Sequence, residues 1–137
     1  MKKVAVSGYF NPLHIGHIRL LKEAKALGDY LIVILNNDEQ VKLKGSVPFM
    51  SIEDRKEIVE AIKYVDEVFI ALDKDRSICQ SLAIVKPHIF ANGGDRNQGE
   101  IPEAKVCRDN KIEMIDNIGG DKIRSSSNLI KEASQKV

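Results

Sequence analysis

Short apolar runs alternate with stretches of helical spacing along the chain, and that alternation limits the fold more than any other feature. Val4-Ala5-Val6 lies in a run from Lys3 to Ser7 that reads as a first strand. Ile15, Ile18, Leu20, Leu21, Ala24 and Leu27 then recur on one helical face, which predicts a helix from Ile15 to Leu27 with Gly28 as its C-cap. Tyr30 to Leu35 is almost continuously apolar, as a strand covered on both faces would be. Asn36 to Pro48 is polar and contains glycine, so it reads as loop. Ser51, followed by Glu53 and Asp54, has the spacing of an N-cap with acids in the first turn. That helix is predicted to reach about Lys63, with Ile58, Val59 and Ile62 facing inward. Further strands are expected at Asp66 to Ala71, His88 to Ala91 and Lys111 to Ile115, and further helices at Arg76 to Val85, Pro102 to Asn110 and Ser125 to Ser134.

Strands alternating with helices favour an α/β architecture, a parallel five-stranded sheet wound on both faces. A chain of 137 residues is of single-domain size, so residues 1–137 are read as one domain. Ligands of such sheets collect above the carboxyl ends of the strands, where the winding reverses. The loops Gly8 to His17, Asn36 to Pro48, Ala91 to Gly99 and Asn117 to Ser125 all leave such ends. The longest apolar run is strand-sized, and Met1-Lys2-Lys3 enters a strand at once, so neither a membrane span nor a signal peptide is expected. With 30% charged residues and a net charge of +1, charges of both signs are mixed and no electrostatic case for a nucleic-acid partner arises. Cys79 and Cys107 form no paired motif and read as reduced packing residues of a cytoplasmic protein.

The first strand leads into Gly8-Tyr9-Phe10-Asn11-Pro12-Leu13-His14-Ile15-Gly16-His17, which places two of the chain's three histidines where a strand ends and a helix begins. Free backbone N–H groups and the helix dipole favour anions at such a junction. Three uses of His14 and His17 compete. A zinc site would need more ligands than His88 and scattered cysteines supply. Capping or packing is the plain alternative. Phosphate recognition is the third, with imidazole N–H donors beside free amides and Gly16 letting an oxyanion approach the backbone.

Gly-x-Phe-x-x-x-His-x-Gly-His, from Gly8 to His17, resembles the signature of the cytidylyltransferase-like nucleotidyltransferases. Lys122-Ile123-Arg124-Ser125-Ser126-Ser127 is similar to their second signature, a basic residue followed by Ser or Thr at the start of the last helix. Gly28-Asp29-Tyr30, Arg55-Lys56 and Tyr64-Val65-Asp66-Glu67-Val68 are similar to glycerol-3-phosphate cytidylyltransferases. Leu43-Lys44-Gly45, Lys86-Pro87-His88 and Gly93-Gly94-Asp95 look more like the heptose-1-phosphate adenylyltransferase domains of lipopolysaccharide core synthesis. Three departures stand out: Asn11 where an aspartate is common, Ser46 where the cytidylyltransferase has a second lysine, and Gly119-Gly120-Asp121-Lys122 before the last helix.

The resemblance implies a Rossmann-like fold and transfer of a nucleotide from ATP or CTP to a phosphorylated small molecule, with release of pyrophosphate. His14, His17, Lys44 and Arg124 would be catalytic. Gly8, Tyr9, Phe10, Asn11, Gly16, Gly93, Asp95, Ser125, Ser126 and Ser127 would bind the nucleotide, and Arg55 a substrate phosphate. Lys44 would act as a mobile clamp on phosphate charge. Mg²⁺ would arrive with the triphosphate, no metal would be held by the protein alone, and the assembly would be a homodimer. The middle and C-terminal segments tilt the expectation to ATP and a sugar phosphate, the N-terminal half to CTP and glycerol phosphate. A nucleotide-binding domain without turnover is the alternative from another class. All of this requires the paired imidazoles and the Arg124–serine cluster to meet over one triphosphate.

Overall fold

The computed structural model describes residues 1–93, 101–116 and 118. Among the described residues, five strands are joined by helices, two of them between β2 and β3: β1 (Lys3–Gly8), α1 (Ile15–Lys25), β2 (Tyr30–Leu35), α2 (Asp38–Leu43), α3 (Ile52–Glu60), β3 (Glu67–Ile70), α4 (Cys79–Val85), β4 (Ile89–Ala91), α5 (Glu103–Asp109) and β5 (Glu113–Ile115). The strands form one sheet in the order β3-β2-β1-β4-β5, and every adjacent pair is parallel. The fold is thus the expected α/β Rossmann-like sheet.

Alternate residues of a strand point to opposite faces, and the core divides accordingly. Val4, Val6, Leu31, Val33 and Leu35 pack with Leu21 and Ala24 of α1 and Val59 of α3. Ala5, Ile34 and Phe90 pack with Leu82 of α4 and Cys107 of α5. Helices therefore cover both faces, which is why the central strands read as nearly unbroken apolar runs. Both cysteines are free thiols. Burial, with Glu103 adding to it, pushes the Cys107 thiol up to about 11 and keeps it a protonated packing group. Among the described residues, no helix is long and apolar enough to cross a membrane.

From β1 the chain builds outward through β2 and β3, then returns to lay β4 on the other side of β1. The connections leaving β1 and β4 diverge there, so a crevice is expected above those two carboxyl ends.

Several boundaries differ from expectation. The stretch read as loop from Asn36 holds α2, opened by a capping box in which Asn37 and Gln40 bond each other's backbone N–H. Gly28 is not a left-handed cap: α1 ends on Ala26 in the right-handed region, and Gly45 is the glycine with positive φ among the described residues. Gly28 instead lets the chain pass close to β1, since a Cβ there would lie 2.7 Å from the Lys2 carbonyl oxygen. Ile58 is 40% exposed rather than inward, while Val59 is buried. Helix α4 starts three residues late, at Cys79. The carboxylate of Asp73 accepts from the N–H groups of Gln80 and Ser81, and that of Asp75 from Ser77, so residues 73–77 cap the helix instead of joining it. The helix expected over residues 125–134 lies outside the described residues.

Candidate active site

β1 ends at Gly8, whose carbonyl accepts from the Asn36 N–H at the end of β2. Phe10 then turns the chain in the left-handed region, with φ 48°, and is 1% exposed. A buried non-glycine residue there costs about 1–2 kcal/mol locally, which burial of the ring offsets. The ring lies over Gly8, where an added Cβ would come within 3.0 Å of its Cζ. The Asn11–Pro12 peptide is cis.

His14 is the N-cap of α1, and His17 stands three residues on. The His14 Nδ1 accepts from the Gly16 N–H at 3.1 Å, and the His17 Nδ1 accepts from the His14 N–H at 3.0 Å. The pair forms a capping box in which imidazoles take the places usually held by Ser or Thr and Glu. This capping has a chemical consequence. With each Nδ1 lone pair occupied by a backbone N–H, the proton of each neutral ring sits on Nε2. The rings stack with centroids 3.8 Å apart and planes at 24°. The Phe10 ring stands against His17 edge to face, at 4.4 Å and 84°. Gly16 is needed as glycine because a Cβ would come within 2.9 Å of the His14 Cε1.

Other candidates reach this turn from distant sequence. Lys44, the C-cap of α2, places its Nζ 4.5 Å from the centre of the Tyr9 ring. Asn11 is buried; its Nδ2 donates to the Val47 carbonyl at 2.8 Å, and its Oδ1 accepts from the Met50 N–H at 2.9 Å. Arg55 has no exposed surface. Its Nε donates to the Met50 carbonyl, one Nη to the carbonyls of Tyr9 and Asn36, and the other Nη to Asp38 Oδ1 at 2.6 Å. Arg55, expected to meet a substrate phosphate, is closed off from solvent, and its donors meet three carbonyls and a carboxylate, the arrangement of an internal tie.

Gly8, Tyr9, Phe10, Asn11, His14, Gly16, His17, Lys44 and Arg55 thus share one neighbourhood. Gly93 stands half-buried just past β4, the strand beside β1. Asn92 before it is buried and fastens the ends of β4 and β5, its Nδ2 donating to Asp116 Oδ1. Asp95, Arg124, Ser125, Ser126 and Ser127 lie outside the described residues. Asp38 and Gln40 lie in the stretch that reads as loop from Asn36 to Pro48. The Asn37-x-x-Gln40 capping-box spacing was the available signal for α2 and so for its first-turn acid.

The Cytidylyltransferase-like family profile matches residues 5–133. The FAD synthase of Ferroglobus placidus is 43% identical over 100 residues, covering 73% of this chain and 64% of that protein. The chain thus spans somewhat less than two thirds of that relative's length. The bifunctional protein HldE of Aliarcobacter butzleri is 30% identical over 136 residues, 98% of this chain and 27% of that protein. Among solved structures, the lipopolysaccharide core biosynthesis protein of Thermoplasma volcanium superposes with a TM-score of 0.75 at 27% identity, over 88% of this chain and 99% of that one.

Proposed function

This chain belongs to the cytidylyltransferase-like family, and from that premise we propose that it transfers the AMP of ATP to the phosphate of a phosphorylated small molecule, releasing pyrophosphate. The observation that carries the proposal is the imidazole pair at the start of α1, each Nδ1 occupied by a backbone N–H. Two outer N–H donors at the positive end of an eleven-residue helix suit an anion whose charge grows during reaction. The relatives' names support adenylyl over cytidylyl transfer, because FAD contains an adenylate joined to a flavin phosphate. A sugar phosphate of the heptose 1-phosphate kind is the proposed acceptor, supported by similarity to HldE and to a lipopolysaccharide core protein. Flavin mononucleotide is the second acceptor, favoured by the FAD synthase similarity.

The acceptor phosphate is already an anion, so attack on the α-phosphorus needs no general base. Catalysis reduces to alignment and charge stabilisation. In this reading His17 and His14 donate to the α- and β-phosphates. Lys44 and Arg124 offset charge on the transferred and leaving groups, and Ser125 and Ser126 hold the terminal phosphates. Gly93, Asp95 and Ser127 line the nucleotide's path. The described turn offers N–H donors and a lysine rather than carboxylates, which fits Mg²⁺ carried on phosphate oxygens and water. The cytoplasm is the proposed setting and a homodimer the proposed assembly.

The test is pyrophosphate release from ATP or CTP, each paired with heptose 1-phosphate, flavin mononucleotide or glycerol 3-phosphate. Turnover with ATP and either of the first two is expected. Faster turnover with CTP and glycerol 3-phosphate replaces the donor and acceptor. Binding of ATP with no release from any pair makes this a nucleotide-binding domain.

A further inference from the structure

The loop between α2 and α3 leaves two of its apolar side chains largely in solvent: Val47 and Phe49 are 76% and 65% exposed. It is held largely through two side chains. Asn11 grips the Val47 carbonyl and the Met50 N–H, while Arg55 Nε grips the Met50 carbonyl. The Met50 residue is therefore clasped on both of its backbone polar groups. Arg55 also holds the Tyr9 carbonyl at 2.7 Å. Tyr9 and Asn11 flank Phe10, the residue in the left-handed region, and the Phe10 ring stands against His17. A closed circuit, Tyr9–Arg55–Met50–Asn11, thus surrounds the one turn that sets the Phe10 ring against the imidazole.

We infer that Asn11 is a positioning residue, an amide that uses its donor and its acceptor to lock the loop at 47–50 onto the phosphate turn and so, through Phe10, fixes where His17 presents its outer N–H. The inference rests on the proposed phosphate role of His17. It also changes the meaning of Asn11: this site is built around an amide, and is not an aspartate site missing its charge. A carbonyl must be met by a donor and an N–H by an acceptor. The amide supplies both, its Nδ2 to Val47 and its Oδ1 to Met50. An aspartate of the same shape keeps the bond from Met50 but turns an acceptor toward the Val47 carbonyl, and alanine loses both.

The experiment combines kinetics with an observable that needs no turnover. In pyrophosphate release, N11D is expected to lower kcat about tenfold or more in the native background, but less than about twofold in the H17A background, because coupled residues are non-additive. Native kcat in N11D, or an equal loss in both backgrounds, overturns the inference. In the ligand-free protein, N11A is expected to shift the imidazole ¹⁵N signals of His14 and His17; unchanged signals overturn it as well. A protein that turns over no substrate pair refutes the proposed function, and the imidazole signals still decide the role of Asn11.

Discussion

At the scale of the residue, His14 and His17 combine two uses that sequence alone leaves in competition. They cap α1 through Nδ1, and the capping fixes the tautomer that a phosphate donor needs. His17→Ala should therefore reduce turnover far more than ATP affinity, by about 2.7–4 kcal/mol of barrier if it behaves as a lost oxyanion donor. Steady-state kinetics beside calorimetric titration of ATP would read the split, and an unchanged kcat would remove His17 from catalysis. Gly16→Ala tests the same geometry from the other side. Alanine favours a helix over glycine by about 1 kcal/mol, but its Cβ would sit 2.9 Å from the His14 ring. The ring can swing away at modest cost to folding and at large cost to its stacking on His17. We expect the melting temperature to hold within a few degrees while turnover falls, measured by calorimetry and pyrophosphate release. The motif was legible as Gly8 to His17, because its residues are local. The imidazole tautomers were not, because they depend on which backbone N–H each ring meets.

At the scale of the element, α2 and α3 are tied to neighbouring loops by buried polar groups, beside the apolar packing of Val41 and Val59. Gln40 has no exposed surface; its Oε1 accepts from Asn36 and Asn37, and its Nε2 donates to the carbonyls of Asp75 and Ser77. Arg55 does the same for α3. Its partner Asp38 is 35% exposed, so that ion pair is weakened by hydration and the cost of losing Arg55 lies mainly in the three orphaned carbonyls. At about 1–3 kcal/mol for each unsatisfied buried group, Arg55→Met should destabilise by several kcal/mol. Asp38→Asn should lose no more than about 1 kcal/mol, as for a partly exposed pair. Urea unfolding of the two variants gives the comparison; equal losses would place the weight on the ion pair instead. Periodicity located α3 but not the fate of its arginine. The partners of Arg55 come from residues 9, 36, 38 and 50, and no local pattern announces them. Helix α2 is hard to see in the sequence because its polar and charged residues carry no apolar period; its cap spacing is the weaker sign.

At the scale of the whole molecule, Asp66 ties the end of α1 to the starts of β2 and β3. Partial burial raises its carboxyl, but hydrogen bonding and charge from Lys25, together with the Leu31 N–H, outweigh burial and hold it below the ordinary carboxylate value of 3.8. A depressed native value means the ionised form is favoured by folding, so the contribution is complete above the unfolded value and is lost as pH falls through the native one. The stability gap between the native protein and Asp66→Asn should therefore be widest near pH 6–7 and close as pH drops below about 4. Urea midpoints across that range would show it, and a gap independent of pH would rule the linkage out.

The order of residues alone decides that the chain makes a doubly covered parallel sheet and places its histidines at a strand-to-helix junction. Those features are written in apolar period and in contiguous motif. Tertiary structure alone decides which distant groups complete the junction: Lys44 over Tyr9, Arg55 turned inward, and Asn11 clasping the loop before α3. The physical reason is that a buried hydrogen bond is satisfied by whatever group folding brings within about 3 Å, and sequence distance says little about which group that will be.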